Sequence, residues 1–598
     1  MTQNESLGPP PSPQPRAPTG LPAVLERAGD RFLRWALRLG LDEQAVLLTA
    51  AAGIGLAAGG ATLVFYGLLD GVSALVTWVE GAVAIPRVVV AALTLGGGLA
   101  IVRLLVRHLA DDSPGENVPD LMRAVARHGG RLRLRRVLVK TTAAAVTIAT
   151  GGAVGTEGPA AVLGGGLGSA LGQGLRFRTN RLKLLVGCGA AAGISGAFGA
   201  PIAGVFFALE KILGNLRASL LAAVAVASVM AAAVTRSVLG GDQVIRIPRL
   251  YELSRNRELA AYALVGLLCG AVGVLYNRGT WILSDLLARL PRWLRLGLGA
   301  LLVAGFGAAF PPRLWGHGHI SLDLGAIAQT PAPLLAALAL ARIAATGLTL
   351  GAGGVGGVFM PAILIGGSAG GAAGALVRDL FPDAGVAVGP FALVGIGAAV
   401  AGATHAPLTA MFIVLELSGD YGLILPVMLA TALGYAMARW LHRESIYSEW
   451  LVRRGERLSH GADQSVLEMH LVREVCRRRP IVARADDRLG EALPRLLASD
   501  QPEFPVVDAS EHVVGLLTWA DIKQVLSNRE RDEAITMRAV ARPCTEPVAP
   551  NDTLLRALRR LGARDAYLLP VVDPAQGNRL VGVIGRQEIF AVYDRETA

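Results

Sequence analysis

Apolar runs recur along most of this chain, at about 45–67, 88–107, 137–154, 183–213, 218–239, 259–276, 293–310, 332–350, 355–377, 386–403 and 406–440. Several are shorter than the ~20 residues of a straight transmembrane helix, or are broken by Gly and Pro. Short, interrupted apolar helices in both halves of a chain point to a transporter-like site near the membrane midplane. After residue 441 the pattern changes. Residues 442–467 read as a polar linker, and 468–598 as a charged, soluble α/β region. There, a helix followed by strand, turn, strand and helix occurs twice, with FPVVD at 504–508 and LPVVD at 569–573. The predicted organisation is an all-α polytopic membrane domain over 36–441, then two cytosolic α/β units at 468–530 and 531–598. Ahead of it, residues 1–35 form a cytosolic arm. Its first 20 residues are Pro-rich and expected to be disordered. Arg27, Arg31, Arg34 and Arg38 among apolar neighbours predict an amphipathic surface helix over 21–41.

Composition agrees with the membrane class: 598 residues, 53% hydrophobic and only 17% charged. The 74 glycines lie largely inside apolar runs, which suits close helix packing and broken helices. A net charge of +11 does not imply nucleic acid here. Much of the Arg excess sits in short segments beside apolar runs, as in 123–140, which reads as positive-inside bias with both termini cytoplasmic. The inner or plasma membrane is the expected location. Four cysteines lie far apart in sequence and suggest neither disulfides nor zinc. The two histidines of GHGHI at 316–320 read as a polar loop rather than a metal site. No nucleophile–base pair appears, so an enzyme is not expected.

The two halves of the membrane part resemble each other. APIAGVFFALE at 200–210 matches APLTAMFIVLE at 406–416, and PAAVLGG at 159–165 matches PAILIGG at 361–367, at offsets of 206 and 202 residues. Collinear matches at nearly constant spacing predict an internal duplication.

Within residues 151–172 one carboxylate, Glu157, stands in otherwise uncharged, Gly-rich text. Placing a charge at bilayer depth costs roughly 2.5–3.5 kcal/mol on insertion scales, so such residues usually face a water-filled path. Gly155, Gly158 and Pro159 around it predict a helix start, where free amides and the positive dipole end favour an anion. Glu157 can be that anion itself, in competition with a diffusible one.

GTEGP at 155–159, GGVFMP at 356–361, the repeated APxxxxFxxxE and SIY at 445–447, in that order, resemble the CLC chloride channel and transporter family. The tandem C-terminal units are similar to CBS domains. The resemblance implies an inverted-repeat membrane domain with broken helices, assembled as a homodimer with one chloride pathway per subunit. It makes Glu157 the gating glutamate, Phe359 and Val358 backbone donors to the central anion, and Tyr447 a hydroxyl donor to it. Gly115 belongs to the first anion-site motif, GENVPD at 115–120, where Glu116 replaces the usual serine. An ionised carboxylate there cannot donate to a halide and would repel it. A second departure is Lys211, at the position where family exchangers usually carry an internal proton-transfer glutamate. In the CBS pair, Thr518 is placed for a nucleotide phosphate and Asp521 for ribose hydroxyls. Gly585 and Glu588 at the matching second-unit positions leave one expected adenine-nucleotide site; no other cofactor is expected.

The resulting expectation is passive, channel-like chloride transport, gated by Glu157 under voltage or pH, with CBS regulation and weak or absent proton coupling because of Lys211. The alternatives are a Cl⁻/H⁺ antiporter, and a membrane-anchored CBS nucleotide sensor that no longer transports.

Overall fold

Long runs of Ala, Leu, Val and Gly without interior proline propagate as helices, and Gly–Pro or Ala–Pro breaks restart them. In the computed structural model the chain is described over residues 43–82, 85–110, 117–175, 177–240, 245–246, 258–315, 322–382, 386–456 and, with short gaps, 467–597. The expectations for 1–41, for Gly115 and Glu116 and for the 316–320 loop lie outside those residues. Two compact units divide after Arg457.

The first unit opens with α1 (Glu43–Ala82), α2 (Arg87–Leu109), α3 (Asn117–Arg127), α4 (Leu134–Ala149), α5 (Glu157–Gly174) and α6 (Thr179–Phe198). The short α7 (Pro201–Phe207) runs into a π-turn at Ala208–Ile212, followed by α8 (Ala218–Leu239). Beyond β1 (Ile245–Arg246) come α9 (Glu258–Ala288), α10 (Arg292–Ala309) and α11 (Pro312–Trp315). β2 (Leu322–Asp323), parallel to β1, leads into α12 (Leu324–Gln329), α13 (Ala332–Gly351), α14 (Phe359–Leu380) and α15 (Val388–Thr404). The unit ends with α16 (Pro407–Ser418), α17 (Ile424–Leu441) and α18 (Ile446–Arg453). Among the described residues nine helical spans are long and apolar enough to cross a membrane. At 40 residues α1 is about 60 Å long, twice the ~30 Å hydrocarbon core, so it crosses tilted or projects beyond it. The 445–453 stretch, expected within a polar linker, instead forms α18. Ser445 caps it, and Ile446, Tyr447, Trp450 and Leu451 are buried in the first unit.

Inside this unit the helices approach at backbone distance. A Cβ built on Gly164 of α5 would lie 2.0 Å from the carbonyl oxygen of Gly189 in α6, and the reverse contact would be 2.1 Å. The second half repeats the crossing: a Cβ on Gly366 would stand 2.6 Å from Gly395 oxygen, and one on Gly395 2.5 Å from Gly366 oxygen. Lipid tails supply no apolar drive for helix association, so such close contact is what holds these helices.

The duplication is also closed by reciprocal bonds. The Glu416 carboxylate accepts the amides of Ile202 and Ala203 at 2.9 and 2.7 Å, at the start of α7. Glu210 accepts Leu408 and Thr409 amides at 3.0 and 2.8 Å, at the start of α16, and the Thr409 hydroxyl at 2.6 Å. Phe206 and Phe412 stack between them at 4.8 Å. Likewise Thr349 Oγ1 accepts from Ala153 N and Thr147 Oγ1 from Val355 N, each at 3.1 Å. Each repeat thus caps the other's free helix amides across a local two-fold axis.

The second unit contains α19 (Val472–Val475), β3 (Ala483–Arg484), α20 (Leu489–Leu497), β4 (Glu503–Val507), β5 (Val513–Thr518) and α21 (Trp519–Ser527). It repeats as α22 (Met537–Val540), α23 (Leu554–Arg564), β6 (Leu568–Asp573), β7 (Arg579–Gly585) and α24 (Arg586–Thr597). Both antiparallel hairpins, β4–β5 and β6–β7, shift register at equivalent points, Val506/Val507 and Val571/Val572. Two apolar clusters form, and each takes in the opening segment of the other repeat: Met537 packs with Phe504 and Leu517, and Val472 with Leu569 and Ile584.

Candidate functional site

Two helix starts converge in the first unit. Glu157 is the first residue of α5, and Phe359 the first residue of α14, at equivalent positions of the two repeats. Glu157 Oε1 accepts the Phe359 amide at 2.7 Å. Its Oε2 is buried and has no hydrogen-bond partner among the described residues. The residues leading into the two helices pair antiparallel, Gly155 N to Gly357 O at 2.8 Å and Gly357 N to Gly155 O at 2.7 Å. Here glycine is required: a Cβ on Gly155 would sit 2.1 Å from Glu157 Oε2, and one on Gly357 2.0 Å from Oε1. The carboxylate lies in a slot shaped by the missing side chains and is 1% exposed.

The Phe359 side chain belongs to an aromatic cluster. The Phe359 ring lies 6.0 Å from that of Phe198 and meets Phe207 edge-on at 6.4 Å. Phe207 in turn meets Tyr447 edge-on at 6.5 Å, so α18 brings Tyr447 to the same aromatic cluster. Val358 caps α14, and the buried Tyr276 hydroxyl donates to its carbonyl at 2.9 Å. That bond fixes the peptide joining Val358 to Phe359 and therefore the direction of the Phe359 amide. Tyr276 was not singled out from the sequence, because nothing local marks a tyrosine inside the long α9. Thr147 and Thr349 were missed as well. Their common 202-residue offset, the same as that of the PAAVLGG and PAILIGG repeats, was a signal that could have found them.

A carboxylate among helix-start amides, in a duplicated Gly-rich fold, is the arrangement of a membrane anion pathway. The family description "Voltage gated chloride channel" matches residues 98–439, more than half of the chain. This chain belongs to the CLC family. Two CBS domains match at 472–528 and 539–595. A putative ClcB-like chloride channel protein of Ralstonia nicotianae is 33% identical over 57% of this chain and 80% of its own length. CLC-f of Arabidopsis thaliana is 30% identical over 73% of this chain and 64% of its own length. A H⁺/Cl⁻ exchange transporter ClcA of Yersinia pestis is 32% identical over 58% of this chain and 74% of its own. Among solved structures, a slow cyanobacterial Cl⁻/H⁺ antiporter aligns at TM-score 0.61 and 26% identity, over 68% of this chain and 97% of that one. A eukaryotic CLC transporter aligns at TM-score 0.62 and 20% identity, over 91% of this chain and 97% of that one, and shares the fold. The protein is therefore a CLC chloride transport protein of the membrane, with an inverted-repeat helical domain and a C-terminal CBS pair.

Within the CLC unit, Lys211 lies in the π-turn after α7 and is 6% exposed. Its neighbour Glu210 is committed to the three donors at the start of α16, and so is already fully engaged. Asp120, at the end of the GENVPD motif, forms an ion pair with buried Lys140 of α4. In the CBS unit, Thr518 and Asp521 form reciprocal caps at the start of α21. Asp521 N donates to Thr518 Oγ1 at 3.2 Å, Thr518 N donates to Asp521 Oδ2 at 3.0 Å, and the Thr518 hydroxyl donates to the same oxygen at 2.6 Å. The Arg542 guanidinium also donates to Asp521 Oδ1 through Nε and Nη2, each at 2.6 Å. The second half repeats this with Arg477 on Glu588 at 2.8 Å and the Gly585 amide on the same carboxylate at 3.0 Å. Each arginine crosses from the other CBS repeat. Burial raises the Glu503 carboxyl above its usual range, against the lowering effect of the Leu568 and Tyr567 amides.

Proposed function

We propose that this CLC protein exchanges chloride for protons, with Glu157 as the station both ions use. The observation that carries the reading is the Glu157 carboxylate, held by the Phe359 amide on one oxygen and, among the described residues, without a hydrogen-bond partner on the other. Ionised, it fills a place that suits a small anion. Protonated, it is neutral, binds the amides less strongly, and yields that place to chloride. Relatives named as H⁺/Cl⁻ exchange transporters at 32% identity favour this reading over passive conduction. Val358, Phe359 and Tyr447 would form the central anion site. The expected assembly is a homodimer with one pathway per subunit and both termini cytoplasmic.

Passive conduction is the second reading, and one observation favours it. Lys211 is a buried ammonium where a proton-accepting carboxylate would stand, and Glu210 beside it is occupied as a helix cap. The deciding experiment is a vesicle loaded with chloride, with the membrane potential clamped and internal pH recorded as the anion runs down. Exchange drives protons uphill. Sustained chloride flux with no proton movement would establish conduction instead. Coupling that persists in Lys211→Ala would show that protons take a route independent of this side chain.

We further propose one adenine-nucleotide site in the CBS pair, at Thr518 and Asp521, in which the ribose competes with Arg542 for the Asp521 carboxylate. Two guanidinium N–H groups on the single oxygen Oδ1 make a charge-assisted contact that the ribose must displace, so binding is expected to be modest in the wild type. Titration calorimetry on the full-length protein in detergent checks this. Asp521→Ala should weaken ATP binding about tenfold or more, and Arg542→Ala should tighten it severalfold. Weaker binding in Arg542→Ala would instead make the arginine a phosphate ligand.

A further inference from the structure

Cations gather at one end of the α2–α10 pair. A Cβ built on Gly96 of α2 would lie 3.7 Å from Ala300 Cβ of α10, and nearer the end of α2 the charge of Arg103 acts on Arg295 of α10. The two helices therefore run antiparallel, and the last turns of α2 stand beside the first turns of α10. Arg103 and Arg107 lie one turn apart on α2, and Arg292 and Arg295 one turn apart on α10. Arg292 also acts on Arg295. Arg103 and Arg295 are half-buried, and Arg107 and Arg292 are exposed. None of the four side chains makes a hydrogen bond or ion pair with a described residue. The acid nearest the start of α10 in sequence, Asp285 on the last turn of α9, is taken by Arg453 of α18 at 2.7 Å.

Arginines at a membrane boundary commonly reach out to water. That accounts for Arg107 and Arg292, but not for Arg295, whose Nε is buried without a hydrogen-bond partner among the described residues. Like charges brought together beside lipid repel, and a half-buried guanidinium with an unused donor is costly unless an anion joins it. The surroundings say which kind of anion. Trp293, between the two α10 arginines, is 74% exposed. Away from the cations the same helices present exposed apolar side chains, Ile101 and Leu104 on α2 and Leu301 and Leu302 on α10. Exposed Trp and Arg above an apolar helix face mark the level of lipid headgroups. The Arg-rich segment at 123–140 follows α2, and on the positive-inside rule this end faces the cytoplasm.

We propose that Arg103, Arg107, Arg292 and Arg295 form a binding site for the headgroup phosphate of an anionic phospholipid in the cytoplasmic leaflet, with its acyl chains along the apolar faces of α2 and α10. Guanidinium forks match the paired oxygens of a phosphodiester, and basic pockets between membrane helices take such headgroups. The site selects a net-negative lipid, because the amine or choline of a zwitterionic one would bring a further cation to the cluster. Bound there, the lipid bridges α2 to α10. α2 also backs the turn that leads to Glu157, since a Cβ on Gly98 would meet Thr150 Oγ1 at 2.4 Å. The site is independent of whether chloride transport is coupled to protons, and its occupancy is read without any flux.

The test is native mass spectrometry of the full-length protein in detergent, titrated with phosphatidylglycerol, with phosphatidylcholine and inorganic phosphate as comparisons. Saturable binding of phosphatidylglycerol, and a higher thermal midpoint in its presence, are expected of the wild type. Phosphatidylcholine should bind at least tenfold more weakly, by about 1 kcal/mol or more of headgroup attraction. Each arginine changed to Gln should raise the half-saturating phosphatidylglycerol concentration about fivefold, while Arg87→Gln, at the other end of α2, should not change it. Should Arg103→Gln or Arg295→Gln fail to fold, the exposed pair Arg107→Gln and Arg292→Gln carries the comparison. Equal binding of the two lipids, or affinity unchanged in Arg107→Gln/Arg292→Gln, overturns the proposal. Displacement of the lipid by millimolar inorganic phosphate would also overturn it, by making this a site for the free ion.

Discussion

Glu157→Gln is expected to leave chloride flux in reconstituted vesicles and to remove its pH dependence and any proton coupling. Glutamine has the shape of the protonated acid but cannot ionise, so it cannot compete as an anion for the Phe359 amide. The slot offers it little else, because Oε2 has no hydrogen-bond partner among the described residues and the Gly155–Gly357 pair leaves only enough space for the side chain itself. Wild-type flux should change about tenfold or more as one carboxylate titrates, and that of the variant less than about twofold between pH 5 and 8. The sign follows from the chemistry: acid neutralises Glu157 and frees the anion place, so wild-type flux rises as pH falls, while the variant is already in the freed state. A variant that retained the wild-type pH profile would move the gate to another residue. Glu157→Asp supplies a second check, since its shorter carboxylate would not span the distance to the Phe359 amide.

The largest effect on the fold itself is expected at Gly164. Its added Cβ would meet the Gly189 carbonyl at 2.0 Å, and that atom is backbone, so no side-chain rotation relieves the clash. α5 and α6 would have to separate, and α5 carries Glu157 at its first position. Overpacking usually costs about 1–3 kcal/mol. A contact this short with main chain on both sides belongs at or above the upper end, where few proteins of marginal stability survive. Gly164→Leu should therefore give no monodisperse protein on size-exclusion chromatography in detergent. The control is Gly60→Ala in α1, where an added Cβ meets nothing within 4 Å. It should match or slightly exceed wild-type thermal stability, because alanine is the better helix former by about 1 kcal/mol. Normal yield from Gly164→Leu would show that the α5–α6 crossing is looser than its geometry.

Much of this architecture was legible in the order of residues. The apolar runs marked the membrane part, because a helix in lipid needs only length and hydrophobicity to be recognised. The Gly- and Pro-bounded Glu157 marked its own helix start, because capping chemistry is local. The twin FPVVD-type strands marked the CBS pair for the same reason, and equal spacing of the APxxxxFxxxE and PAxxxGG stretches marked the duplication. Tertiary structure alone decided what those pieces face. Phe359 is 202 residues from Glu157, and only the two-fold packing of the repeats brings its amide to the carboxylate. The same packing makes Glu210 and Glu416 caps for the opposite repeat's helices, a role invisible in either motif by itself. It also makes Thr518 and Asp521 partners of Arg542. Local sequence specifies where a helix starts and how apolar it is; which distant group meets its free amides depends on close packing between segments that share no local signal.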